Sequence, residues 1–139
     1  MAVKNNGLDP EAAEQVALMQ WSLRNRQQIP ALGLLFHVPN GGHRHPTQGA
    51  LMKLLGVKRG VPDLCLPVPA AGHHGLWIEM KPLAGGVVSE DQKRWHASLI
   101  ANGYRVEVCR GFLAAKAAIL VYLGIPEPTE SLDPMAGAS

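Results

Sequence analysis

Cysteine and aromatic residues are both scarce in this chain. Cys65 and Cys109 are the only cysteines among 139 residues, and each lies in an apolar, strand-like run where a free thiol is usually buried. Two such cysteines, and an N-terminus without an apolar signal core, predict a reducing, cytoplasmic setting. Phe, Trp and Tyr make up only 5% of the residues, which leaves no aromatic platform on which bases could stack.

Long apolar runs and a strong net charge are missing as well. No segment approaches the roughly 18 apolar residues that span a bilayer, so we expect no membrane partner. The formal net charge of +2 permits a polyanionic partner without demanding one. The six histidines show no paired Cys/His spacing of the kind that binds zinc. An apolar content of 47% instead argues for a folded domain with one core.

Capping and turn-forming residues divide the chain into helices and strands. Asp9 and Pro10 predict the start of a first helix, which should end before Pro30. Ser89, followed three residues later by Gln92, predicts a capping box at the start of a later helix. Further helices are predicted at 47–56, capped by Thr47, and at 112–123, and strands at 32–38, 63–68, 75–81 and 104–110.

This order of elements predicts one α/β domain with a mixed central sheet flanked by helices. We expect the domain to cover residues 9–124, after a flexible N-terminal arm (1–8) and before a disordered tail rich in Pro, Ala, Gly and Ser (125–139). The loop at 67–75 should join the second and third strands as a hairpin. The first helix should pack through apolar positions at helical spacing, which are Ala12, Val16, Met19 and Leu23.

Charged residues stand in the third strand, whose apolar neighbours predict burial on both faces. Alternation along a strand places Glu79 and Lys81 on one side and Ile78 and Met80 on the other. Because burying unpaired charge is costly, these charged side chains need partners or a metal. A hairpin would bring Asp63, at the start of the preceding strand, beside Glu79.

The carboxylates of Asp63 and Glu79 suit a hard cation. Mg²⁺ is usually held by one or two carboxylates together with water and substrate phosphate. Lys81 beside such a cation can stabilise developing negative charge, and the set could hydrolyse a phosphodiester. A buried structural salt bridge among the same three residues is the alternative.

The segment Pro62-Asp63, followed by Glu79-Met80-Lys81, resembles the PD-(D/E)xK nuclease motif. That motif alone is weak, but it stands among blocks that resemble, in order, those of the VRR-NUC family, the virus-type replication-repair nuclease domain. The blocks are FHVPNGGHR (36–44), GVKRGVPDLCL (56–66), IEMK (78–81), SEDQKRW (89–95) and GYRVEVCRG (103–111). The resemblance covers about residues 10–123 and implies a restriction-endonuclease-like core of the PD-(D/E)xK type.

The same resemblance implies an activity and the residues that carry it. The chain would be a hydrolase of DNA, an endonuclease that depends on Mg²⁺ or Mn²⁺. Asp63 and Glu79 would be the metal ligands, together with the backbone carbonyl of Met80. Lys81 would be the catalytic lysine.

Two further residues resemble active-site positions of the family but also have simpler explanations. Glu14 matches the additional acidic residue that such nucleases carry in the first helix, although a first-turn glutamate also favours the helix dipole. In the family, a glutamine at the position of Gln92 lies near the active site. Its place in the capping box explains it without any function, and the two interpretations are compatible.

Nucleic-acid contacts are predicted at a glycine turn and at a basic pair. Asn40 opens an Asn-Gly-Gly turn, which is either a simple hairpin turn or a close approach of the backbone to nucleic acid. In the second case, His43 and Arg44 would reach phosphates. Lys58 and Arg59, just before the Asp63 strand, are further candidates for phosphate contacts.

Resemblance to stand-alone, virus-type members of the family implies a homodimer that cuts branched DNA, such as four-way junctions. It also implies a phage or bacterial protein with a role in DNA repair. The last helix has more apolar residues than one core-facing stripe requires, and we expect the interface there. These residues are Leu113, Ala117, Leu120, Val121 and Leu123. Two alternatives stay open: a non-catalytic DNA-binding module with the same fold, and a metal hydrolase of a small phosphorylated molecule.

Overall fold

A computed structural model describes residues 7–39 and 46–127 of the chain. Its helices are α1 (Pro10–Asn25), α2 (Pro46–Leu54), α3 (Glu90–Ala101) and α4 (Phe112–Leu123), with a 3₁₀ helix at Pro30–Leu34. Its strands are β1 (Phe36–His37), β2 (Leu64–Leu66), β3 (Leu76–Lys81) and β4 (Arg105–Arg110). The predicted arm and tail lie mostly outside the described residues, and the predicted domain boundaries stay a prediction. Among the described helices, none is long and apolar enough to cross a bilayer.

The described strands form one mixed sheet in the order β1-β2-β3-β4. β2 and β3 are antiparallel, which confirms the hairpin predicted from the loop at 67–75. β3 and β4 are parallel, and α3 makes the crossover between them, as parallel neighbours require. The α/β class with a mixed central sheet flanked by helices is therefore confirmed.

The central strand β3 separates an apolar layer from a charged one. On one face, Leu76, Ile78 and Met80 are fully buried in the hydrophobic core, beneath α1 and α4, which pack on that side. The opposite face of the strand carries Glu79 and Lys81 and turns towards α3. Alternation along the strand thus puts the core and the charged residues on opposite sides of one sheet, as predicted.

The helix boundaries follow the capping residues that predicted them. Asp9 caps α1 by accepting a hydrogen bond from the Ala12 amide at 2.7 Å. Ser89 and Gln92 form the predicted capping box at the start of α3. Gly103 follows that helix with a φ of +89°, a conformation that glycine adopts without strain.

The strand predicted at 32–38 is wrong over most of its length. Its first part belongs to the 3₁₀ helix, and only Phe36–His37 pairs with β2. Pro30 stands in the first turn of that helix, where its fixed φ is favourable. The carbonyl of Leu32 accepts hydrogen bonds from the Ser22 hydroxyl at 3.1 Å and from the Leu35 amide at 3.2 Å, so α1 and the 3₁₀ turn satisfy it without a neighbouring strand.

Three smaller predictions about helices are also corrected. Thr47 does not precede α2 but lies within it, since the helix already includes Pro46. Leu23 does not join the packed stripe of α1, because it is exposed, and the buried residues of that helix are Leu18, Trp21 and Ser22. Leu120 was assigned to an exposed surface of α4, yet it is part of the core.

Candidate active site

The hairpin register brings the two predicted carboxylates together. Leu64 pairs with Ile78, and continuing that register by one residue sets Asp63 opposite Glu79. Asp63 Oδ2 accepts a hydrogen bond from the Met80 amide at 2.7 Å, which fixes the Asp63 side chain against β3. Glu79 is only 1% exposed, so its carboxyl group lies beside Asp63 almost without contact to solvent.

Burial and the neighbouring Asp63 strongly raise the pKa of Glu79. Burial, a hydrogen bond with the Asp63 carboxyl group and the negative charge of Asp63 together raise the pKa of Glu79 from 4.5 to about 9. The positive charge of Lys81 acts in the opposite direction and is outweighed. A nearby cation would favour the ionised form of Glu79, because opposite charge lowers the pKa of a carboxyl group.

Lys81 is buried at the end of β3 and held from α3. Its side chain is 7% exposed, and Nζ donates a hydrogen bond to Gln92 Oε1 at 3.1 Å. The same oxygen accepts the Ser89 amide at 2.9 Å. Gln92 therefore completes the capping box and also contacts Lys81, and its role in an active site stays a prediction.

The acidic residue of α1 that interacts with this cluster is Glu11. Burial raises the pKa of Glu11, the negative charge of Asp63 raises it further, and Lys81 opposes both. The sequence prediction had named Glu14. Its Oε2 instead accepts a hydrogen bond from the Phe112 amide at 3.0 Å.

That contact has a clear structural reason. Gly111 precedes α4 and provides no side-chain cap, which leaves amide groups of the first turn without partners from the helix itself. The Glu14 carboxylate supplies one of the missing acceptors from α1. We therefore replace Glu14 by Glu11 as the α1 residue of the candidate site.

Sequence reasoning missed His96. Its Nε2 lies 3.4 Å from Glu79 Oε1, and the side chain is 12% exposed. A signal was present, because His96 follows Gln92 by four residues and so projects from the same side of α3. The candidate site thus draws on α1, the segment before β2, β3 and α3.

Comparison with known proteins shows the family of this chain. A family model described as the VRR-NUC domain matches residues 9–113. The chain belongs to the VRR-NUC family. A solved structure of a VRR_NUC domain protein is also similar, with a TM-score of 0.72 and 28% sequence identity, over 85% of this chain and 91% of that one. No curated protein sequence matches the chain at a significant level. Since VRR-NUC domains are generally nucleases, the match supports a nuclease-type, DNA-binding function.

The predicted nucleic-acid contacts of this VRR-NUC chain are only partly within the described residues. Lys58 and Arg59 are exposed in the segment between α2 and β2. Gly60, the next residue, packs against the backbone of Asp91 at the start of α3, which brings this basic pair close to the candidate site. The other three predicted contacts, Asn40, His43 and Arg44, lie outside the described residues.

The donor set of the VRR-NUC site fits a hard divalent cation. Asp63 and Glu79 offer carboxylate oxygens, and a cation would offset the burial and the negative charge of Asp63 that raise the pKa of Glu79. Within residues 7–39 and 46–127, no third His, Cys, Asp or Glu joins them in a ready metal-binding group. A cation here would therefore take its remaining ligands from water, substrate phosphate or backbone, as Mg²⁺ commonly does. That the backbone carbonyl of Met80 is one of these ligands stays a prediction.

Proposed function

We propose that this chain is a Mg²⁺- or Mn²⁺-dependent endonuclease that hydrolyses phosphodiester bonds of DNA and selects branched substrates. The observation that carries the proposal is the buried Glu79 next to the partly buried Asp63, with the buried Lys81 beside them on β3. Strongly perturbed ionisable groups concentrate at functional sites, because burying them is otherwise unfavourable. The combination suits phosphodiester hydrolysis, which a cation site and a positive charge near the reacting phosphate can catalyse.

Each residue has a distinct role in the proposed reaction. Asp63 and Glu79 would hold the cation, which when bound supplies a Lewis acid for the scissile phosphate. Lys81, oriented by Gln92, places an ammonium group where the phosphate gains negative charge. Glu11 would not bind the cation directly, but its negative charge would favour binding of a divalent cation by Asp63 and Glu79.

DNA would approach over the exposed basic pair of Lys58 and Arg59. Contacts from such residues to phosphates position a duplex without reading its sequence. Together with the scarcity of aromatic residues, this supports recognition by backbone and shape. Branched DNA differs from plain duplex in shape, so it is the substrate class that we propose.

A homodimer is part of the proposal, since two incisions in a symmetric junction need two active sites at a fixed spacing. Leu113 and Val121 on α4 are each 72% exposed. Together with Ala117, which is partly exposed, they recur every four residues and share one side of the helix. This apolar surface is the contact that we propose for a second copy.

A cleavage panel tests the proposed function. Single-stranded, duplex, flap and four-way-junction DNA would be incubated with the protein in Mg²⁺, Mn²⁺ or EDTA. We expect cleavage with either metal, strongest on branched DNA, and none in EDTA. Asp63→Ala should abolish cleavage and weaken Mn²⁺ binding in calorimetry. Lys81→Ala should abolish cleavage while Mn²⁺ binding persists, because lysine is not a ligand.

The same panel separates the alternatives. DNA binding without cleavage in any metal would indicate a non-catalytic DNA-binding module. Hydrolysis of bis(p-nitrophenyl) phosphate but of no DNA would indicate an enzyme of small phosphorylated molecules. Wild-type Mn²⁺ affinity in Asp63→Ala would exclude that residue as a ligand. Light scattering that finds only a monomer, with nicking alone on cruciform DNA, would remove the homodimer and leave the nuclease.

A further inference from the structure

The spacing of side chains on α3 matches the spacing on β3. Glu79 and Lys81 are two residues apart on a strand, which separates them by about 6.6 Å along its axis. Gln92 and His96 are four residues apart on a helix, which separates them by about 6 Å. The helix can therefore contact both strand residues at once. The observed pairs are Lys81 Nζ with Gln92 Oε1 at 3.1 Å and His96 Nε2 with Glu79 Oε1 at 3.4 Å.

The ring nitrogen of His96 that faces Glu79 is Nε2. A neutral imidazole has one N–H donor and one acceptor nitrogen. An ionised Glu79 carboxylate accepts hydrogen bonds only, so the Nε2 that faces it must then carry the proton.

We propose that His96 is a positioning residue for Glu79, whose carboxylate it orients through Nε2 so that the Asp63–Glu79 pair binds a divalent cation more tightly. The inference rests on the proposed function, because it assigns Glu79 to a cation site. Groups that hydrogen-bond a metal-ligating side chain commonly set metal affinity, since they restrict the ligand to its binding orientation. Gln92 does the same for Lys81, so α3 would orient both functional residues of β3.

Two substitutions at one position separate orientation from packing. His96→Leu keeps an apolar side chain of similar size but removes the donor, whereas His96→Gln keeps an N–H donor at the end of the side chain. Mn²⁺ binding would be measured by calorimetry without nucleic acid. We expect His96→Leu to bind Mn²⁺ about 10- to 100-fold more weakly than wild type, and His96→Gln to recover most of that loss. His96→Met, also without a donor, replaces His96→Leu if the latter does not fold.

Tyr122→Phe provides a matched control for loss of stability. Its hydroxyl donates a hydrogen bond to the Val68 carbonyl at 2.6 Å, beyond the end of β2 that is remote from Asp63. The variant should be less stable but bind Mn²⁺ like wild type. If Tyr122→Phe weakens Mn²⁺ binding as much as His96→Leu does, the effect is one of stability and the inference is overturned.

The remaining outcomes are equally decisive. If the wild-type protein binds Mn²⁺ and cleaves DNA, an unchanged Mn²⁺ affinity in His96→Leu would overturn the role of His96 but leave the proposed function standing. A His96→Gln variant as weak as His96→Leu would overturn the donor role. A wild-type protein that neither binds Mn²⁺ nor cleaves DNA would overturn the proposed function, and this inference with it.

Discussion

Gly60 is the point where the segment that leads to Asp63 touches the helix that carries Gln92. A Cβ atom on Gly60 would lie 2.5 Å from the carbonyl carbon of Asp91, 2.6 Å from its oxygen and 2.8 Å from the Gln92 amide nitrogen. Ordinary Cβ contacts begin near 3.4 Å. All three neighbours are backbone atoms, so no side-chain rotation relieves the clash. Gly60→Ala should therefore push the two segments apart by about 0.9 Å, the difference between 3.4 and 2.5 Å.

The expected loss of stability has two components. Gly60 has a φ of +90°, and an alanine in the left-handed region costs about 1–2 kcal/mol. Overpacking against fixed backbone adds about 1–3 kcal/mol. Gly56 offers a matched control in the same segment, because its φ is +100° but nothing lies within 4 Å of an added Cβ. We therefore expect Gly60→Ala to cost about 2–5 kcal/mol and Gly56→Ala only the conformational part, about 1–2 kcal/mol.

Urea unfolding of both variants, followed by circular dichroism, measures this difference. Mn²⁺ calorimetry on the folded proteins adds a functional reading. Gly60→Ala should weaken Mn²⁺ binding, because the segment that it displaces ends at Asp63, whereas Gly56→Ala should leave binding unchanged. Equal losses of stability in the two variants would refute the close contact between this segment and α3. Unchanged Mn²⁺ binding in Gly60→Ala would refute its link to the cation site.

Two further predictions concern the other acidic residues. Glu14→Ala should cost about 0.5–2 kcal/mol of stability through the lost cap of α4 and leave Mn²⁺ affinity unchanged, whereas Glu11→Ala should weaken Mn²⁺ binding; the reverse pattern would restore Glu14 to the site. The pKa of Glu79 is raised from 4.5 to about 9. Between these pH values the folded protein therefore keeps a proton that the unfolded chain has already released. Stability of the metal-free protein should therefore fall as the pH rises from 7 to 9, by at most about 1.4 kcal/mol per pH unit. The lowered pKa of His96 acts below its ordinary value of 6.5 and so outside this range. In urea unfolding, Glu79→Gln should remove most of the fall, and parallel curves for the two proteins would contradict the assignment.

The elements that the sequence predicted well are those fixed by neighbouring residues. Asp9 and the box of Ser89 with Gln92 bind amide groups within their own helix turn, so their chemistry is readable without the fold. The segment at 32–38 failed for the opposite reason. Its conformation depends on Pro30 and on a hydrogen bond from Ser22, ten residues away along the chain from Leu32, and apolar composition alone does not report such a contact.

The candidate site divides in the same way. Strand alternation and the hairpin were enough to place Asp63 beside Glu79, because both rules depend only on spacing. The choice between Glu11 and Glu14 needed more. These residues are three apart and so lie on one side of α1, and only the packing of that helix decides which faces β3 and which faces α4.

Stability alone does not account for the charges on β3. Replacing buried ionic groups by apolar residues of similar size is often neutral or stabilising, and Glu79 in particular is held at a strongly raised pKa. A purely structural salt bridge would pair one carboxylate with Lys81. Here the strand faces two carboxyl groups, and the Lys81 ammonium donates its hydrogen bond to the neutral Gln92 amide. This arrangement sets two carboxyl groups, one of them on the partly buried Asp63, beside a single lysine, and a divalent cation would compensate them. We therefore interpret the unfavourable burial of Glu79 as a feature of the cation site proposed above, because perturbed ionisable groups concentrate at functional sites.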